Sequence, residues 1–124
     1  HRHDDQRRVG HPVRRIEEEF FLVDPQSRDL AADVPRAKAM QLYAVQQPIT
    51  KTLFSGRTVN AAWHTKPSWY AVSANDQTIN PDLERFLAKR MNATTIELPS
   101  SHLSLVSHAK EITDLILEAS GRQP

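Results

Sequence analysis

The sequence predicts an α/β fold, and three observations carry that prediction. The run PSWYAVSA over 67–74 is short, almost uncharged and flanked by turn residues, as a buried strand would be. The run TTIEL over 94–98 is β-branched and reads as a second strand. Each run is followed by a stretch with helical spacing. Strands that alternate with helices imply parallel strands joined by right-handed crossovers.

The elements follow in chain order. Residues 1–19 hold five arginines, five acidic residues and three of the six histidines, with few apolar side chains. Such a mixture buries little surface, so this segment is expected to be a solvated or disordered leader. A free amino terminus at His1, with His3, would offer copper or nickel ligands; nothing else in the chain supports that reading. Phe20 to Val23 is a short apolar cluster, either a strand or an anchor. Asp29 to Gln47 is patterned as one helix, with Pro35 in its first turn and Pro48 ending it. Met40, Leu42, Tyr43, Ala44 and Val45 spread around that helix, so it is expected to be sandwiched between other elements. Residues 49–66 read as a second short helix and a loop around Gly56.

The second half is more regular. After the 67–74 strand, NDQTIN forms a loop. Asn80 is a suitable N-cap and Pro81 a suitable first helical residue. Leu83, Phe86, Leu87 and Met91 mark the apolar face of the helix they begin. After the 94–98 strand, PSSH forms another loop. A last helix is expected from about Ser107 to Ser120, with Ile112, Leu115, Ile116 and Ala119 on one face and Gly121 as its C-terminal cap. Ser104 and Ser107 read as N-terminal caps.

This order has a chemical consequence. Parallel strands end on one edge of their sheet, and ligands bind outside that edge. Asp76 follows the first strand and His102 the second, so the two should open onto one cleft. A carboxylate there can accept the imidazole N–H, fix the tautomer and stabilise the imidazolium. The other ring nitrogen is then a general base toward a nucleophile. From spacing alone two bland roles compete: Asp76 making a turn and His102 capping a loop.

The stretch WHTKPSWYAVSANDQTINPDLERFLAKRMNATTIELPSSHLSLVSHAKEITDLILEA resembles the carboxy-terminal part of an α/β-hydrolase-fold enzyme. The order of strand, DxxIxP, helix, strand, SSH and helix is similar to the acid and histidine loops of that family. It is particularly similar to the bacterial esterase-like members related to plant methylesterases and hydroxynitrile lyases. Upstream, DLAADVPRAKAMQLYAVQQPI resembles the helical cap of the same group. The likeness covers roughly residues 28–120. It implies a fold of parallel strands with flanking helices plus a helical cap segment, here as a carboxy-terminal fragment. A leader over 1–19, a cap-like segment over 20–62 and a βαβα part of the hydrolase core over 63–124 follow. It also implies that Asp76 is the triad acid and His102 the triad base, on a small ester-like substrate, with no cofactor. Some relatives perform lyase or peroxidase chemistry on the same triad.

One departure is large. The nucleophile elbow of this fold is Gly-x-Ser-x-Gly on a strained strand-to-helix turn. The three glycines here are Gly10, Gly56 and Gly121, and none flanks a serine in that pattern. A glycine-rich oxyanion-hole loop is absent as well. The expectation is an amino-terminally incomplete hydrolase, inactive alone and marginally stable. The rival expectation is a non-enzymatic fragment acting in binding or association, since strands with open edges can pair with other chains.

The remaining candidates have bland readings beside the functional ones. Trp63, Trp69 and Leu103 are candidate pocket residues, and Tyr70 joins them, although aromatics in and beside a core strand more often pack. Ser100 and Ser101 are expected to shape the histidine loop. His64 and His108 are expected at the surface, and their spacing to His102 is not that of metal ligands. Arg85, Lys89 and Arg90 are expected on a solvated helix face. A net charge of +1 argues against a nucleic-acid partner. The lack of cysteine excludes disulfides and thiol catalysis. No apolar run is long enough to span a membrane and no targeting pattern is seen, so the cytoplasm is the default expectation.

Overall fold

The structure is a computed structural model that describes residues 20–21 and 28–123. The expected leader over 1–19, with His1 and His3, lies outside the described residues, as do Leu22 and Val23. The chain divides into two compact units. Among the described residues, one holds 20–21 and 46–57, the other 28–45 and 58–123.

In the first unit, β1 (Phe20–Phe21) pairs antiparallel with β2 (Ile49–Thr50), Phe20 opposite Thr50 and Phe21 opposite Ile49. A 3₁₀ turn over Lys51–Ser55 follows directly. The short helix expected within 49–66 is therefore a strand residue pair and a 3₁₀ turn. Ser55 closes the turn by donating its hydroxyl to the Thr52 carbonyl at 3.0 Å.

The second unit opens with α1 (Arg28–Ala31) and α2 (Arg36–Ala44). The single helix expected over 29–47 is broken, because Val34 N–H turns back to the Ala31 carbonyl (3.1 Å). Pro35 is the N-cap of α2 rather than a residue of its first turn, with an extended ψ of 136°. No residue of α2 is buried, and Met40 is 44% exposed, so the expectation of a sandwiched helix is also corrected. Its apolar side chains are scattered between Arg36, Lys38 and Gln41. No continuous stripe is left to bury.

A 3₁₀ turn over Ala62–His64 leads to β3 (Trp69–Ser73). Then come α3 (Pro81–Arg90) and β4 (Thr94–Leu98). β3 and β4 pair in parallel, from Trp69 opposite Thr94 to Ser73 opposite Leu98. The strands therefore end level, as the sequence predicts. α3 starts as expected: Asn80 Oδ1 accepts the Asp82 N–H at 2.9 Å, and Pro81 needs no N–H partner. Asp82 and Glu84 in the first turn and Lys89 and Arg90 in the last complement the helix dipole.

The face of α3 that is covered differs from the expected one. Glu84 and Ala88 are buried, while Leu83 and Phe86 are 49% and 59% exposed. The last helix, α5 (Ala109–Ala119), falls within the expected span, and a short helical turn, α4 (Ser104–Ser107), precedes it with His108 between them. Neither Ser104 nor Ser107 acts as a side-chain N-cap; Leu103 and His108 hold the cap positions. α3 and α5 both pack on β3. Successive strand residues point to opposite faces, so burial of both Val72 and Ser73 means that both faces are covered there. Val34, Val72, Ala88, Leu98 and Leu115 form the apolar core.

Candidate active site

The hydrogen-bond ladder of the sheet continues past its strands. Ala74 N–H donates to the Leu98 carbonyl (2.8 Å) and Asn75 N–H to the Ser100 carbonyl (3.0 Å). These two bonds fasten the loop after β3 to the loop after β4. Asp76 and His102, 26 residues apart, are thereby brought together, with His102 Nδ1 2.7 Å from Asp76 Oδ2.

Asp76 uses its two oxygens differently. Oδ1 accepts the N–H groups of Thr78 (2.7 Å) and Ile79 (2.9 Å), closing the turn into α3. Oδ2 is left for the imidazole. The turn role and the histidine role are thus compatible, one for each oxygen. The Asp76 side chain is fully buried, whereas that of His102 is 30% exposed. A buried carboxylate facing Nδ1 draws the ring proton to that nitrogen. Nε2 then carries the lone pair on the more open side of the ring.

A second carboxyl stands behind Asp76. Glu84 is 6% exposed and accepts the Ser73 N–H at Oε2 (3.2 Å). Burial pushes its pKa up, the Asp76 charge pushes it further, and the bond from Ser73 partly offsets both. The Tyr70 phenol is likewise pushed up by burial and by the charges of Glu84 and Asp76.

The tryptophans lie elsewhere. Trp69 opens β3 opposite Thr94, and four residue steps, roughly 13 Å of strand, carry the chain to Ser73 at the other edge. Trp63 lies beneath the Arg90 guanidinium, 5.4 Å from its ring centroid, at the carboxyl end of α3. That end feeds the start of β4. Both tryptophans therefore sit toward the amino edge of the sheet, at the opposite end of the strands from Asp76 and His102. Trp63 is held by Arg90 and by the His64 ring at 3.7 Å. Leu103, the third pocket candidate, is next to His102, half-buried, and donates its N–H to the Leu30 carbonyl (3.2 Å).

The serines shape the histidine loop. Ser100 and Ser101 are 0% and 2% exposed. Ser100 Oγ donates to the Ser101 carbonyl (2.8 Å) and meets Ser107 Oγ at 3.1 Å. Ser101 donates both its N–H and its hydroxyl to Asp33. His108 is mostly covered, with Nε2 3.7 Å from Asp33. Arg85 pairs with Asp82 (2.8 Å) and Glu97, bracing α3 against β4 on the solvent side. Among the described residues, no group of three or more His, Asp or Glu is placed to hold a metal.

Spacing did not reveal Glu84 or Asp33. The one signal for Glu84 was its i, i+4 relation to Ala88, which puts it on the strand-facing stripe of α3. Asp33 left no local signal, because it lies 68 residues from the serine that it binds.

The parallel strands thus bring Asp76 and His102 to one carboxyl edge, the side of an α/β sheet where ligands bind. A model of the alpha/beta hydrolase family matches residues 2–115, so the chain belongs to that family. No curated protein and no solved structure matches it. Among the described residues no helix is long and apolar enough to cross a membrane.

Proposed function

We propose that Asp76 and His102 are the acid and the base of a serine-type acyl hydrolase site, of the esterase-like kind that the sequence resembles. The 2.7 Å contact between His102 Nδ1 and the buried Asp76 Oδ2 is the observation that supports this most directly. In this reading His102 Nε2 takes the proton of a serine hydroxyl as that oxygen attacks an ester carbonyl. The tetrahedral adduct forms, and the imidazolium is stabilised by Asp76. His102 then returns the proton to the leaving alcohol as the C–O bond breaks. Water repeats the sequence on the acyl-enzyme.

The 124 residues contain no Gly-x-Ser-x-Gly, so this chain by itself offers neither the elbow nor its oxyanion hole. Those groups supply most of the transition-state stabilisation of acyl transfer. The chain alone is therefore expected to be inert. The chain is mixed with a separately expressed amino-terminal half of a family member carrying the elbow. The expected result is fluorophosphonate labelling of the elbow serine that disappears with His102→Ala. Labelling that is indifferent to His102 would overturn the assignment. p-Nitrophenyl acetate hydrolysis by the chain alone that is lost in His102→Ala would overturn the expectation that the chain alone is inert.

A further inference from the structure

The two neighbours of His102 are both tied to the short segment at the end of α1. On one side, Ser101 N–H donates to Asp33 Oδ2 (3.1 Å) and the Ser101 hydroxyl donates to Asp33 Oδ1. On the other, Leu103 N–H donates to the Leu30 carbonyl (3.2 Å). His102 thus sits between two anchors that both come from residues 30–33. We propose that Asp33 is a positioning residue that fastens the histidine loop so that His102 Nδ1 stays on Asp76.

The argument is one of restraint. Ser101 is 2% exposed, so its N–H and hydroxyl have little access to water and need protein acceptors. Asp33 supplies both at once, one oxygen each, and its charge strengthens both bonds. Burial alone would raise the Asp33 pKa. The bonds from the Ser101 and Ser107 hydroxyls and the Ser101 N–H outweigh that and hold it below the usual range. The ladder bond from Asn75 to the Ser100 carbonyl anchors the loop one residue earlier but does not reach His102. Without Asp33, nothing else among the described residues accepts the Ser101 N–H.

This inference rests on reading Asp76 and His102 as a working pair, and nuclear magnetic resonance of the ¹⁵N-labelled chain separates the two. In the wild type the His102 ring is expected as the Nδ1–H tautomer with a slowly exchanging proton. Asp33→Ala is expected to speed exchange of that proton, and of the Ser101 and Leu103 amides, by about tenfold or more, the loss of a charged hydrogen bond. Amides of β3 should keep their protection. Leu103 is informative because its own acceptor, the Leu30 carbonyl, is untouched by the substitution. Ser101→Ala and Asp33→Asn, which each remove part of the anchor, should give smaller changes of the same sign. These milder variants carry the test if Asp33→Ala does not fold. Exchange at His102 and Leu103 unchanged in the variants, with the Nδ1–H tautomer present in the wild type, would overturn the proposal for Asp33 alone. A wild-type ring without that tautomer would overturn both readings.

Discussion

At the residue scale, the site places three ionisable groups in a row: Glu84, Asp76 and His102. Glu84 is pushed up by burial and then by the Asp76 charge. A raised carboxyl pKa stabilises the fold below the ordinary glutamate value of 4.5, and that contribution is lost as pH rises through the raised value. Glu84→Gln mimics the neutral form, so its urea midpoint should fall less over that window than the wild type's. Glu84→Ala should instead cost about 1–3 kcal/mol at every pH, because the Ser73 N–H loses a buried acceptor. Asp33 works with the opposite sign: its depressed pKa gives stability that is lost only as pH falls below the usual aspartate range. Asp76→Asn tests the pair itself. Its amide oxygen can still accept the Thr78 and Ile79 N–H groups, but its NH₂ would face Nδ1 and force the other tautomer. In the reconstituted enzyme the rate should drop about 10⁴-fold with the fold intact. Asp76 and His102 were legible because each directly follows a strand-like run. Glu84 is not legible, because apolar spacing marks Leu83, Phe86, Leu87 and Met91 while the buried face of α3 holds an acid.

At the scale of elements, the second strand and the start of α3 are legible in the sequence to the residue, and the first strand to within two residues. β4 and the start of α3 fall where the residues place them, since a β-branched run and an Asn-Pro start are local signals. Helix ends behave the same way. α5 ends with Gly121 at φ 76°, its N–H on the Glu118 carbonyl (2.9 Å) and the Arg122 N–H on the Leu117 carbonyl (2.9 Å). α3 ends in the same paired pattern on Asn92 at φ 50°, with bonds to Lys89 and from Ala93 to Ala88. Asparagine tolerates this left-handed conformation better than most residues, and glycine better still. Asn92→Gly should therefore be close to neutral. Gly121→Ala should cost about 1 kcal/mol through backbone strain alone, because no atom stands within 4 Å of the added carbon. Thermal unfolding followed by circular dichroism reads both. The helical pattern over 29–47 breaks where a distant partner is bound: the turn at 32–35 presents Asp33 to Ser101. No local pattern encodes a bond across 68 residues.

At the scale of the molecule, what stays exposed matters as much as what is buried. Among the described residues β3 and β4 form a sheet of two strands, so each has a neighbour on one side only. A two-stranded sheet is marginal by itself, and unpaired strand edges template further pairing. The outer face of α3 adds Leu83 and Phe86, and α5 adds Ile116 at 59% exposure. Exposed apolar side chains on the same elements as open strand edges favour association. The two sources are separable by substitution. Leu83→Lys with Phe86→Lys removes the apolar helix face and leaves the strand edges intact. Thr95→Lys, at an exposed position of β4, puts a charge on the strand and leaves the helix face intact. Sedimentation velocity over a hundredfold range of concentration should show the wild-type chain gaining mass as concentration rises. If the helix face dominates, the double substitution should return it to monomer; if the strand edge dominates, Thr95→Lys should. A wild-type chain that stays monomeric throughout would show that these surfaces are compatible with solvent as they stand, and the association argument would fail.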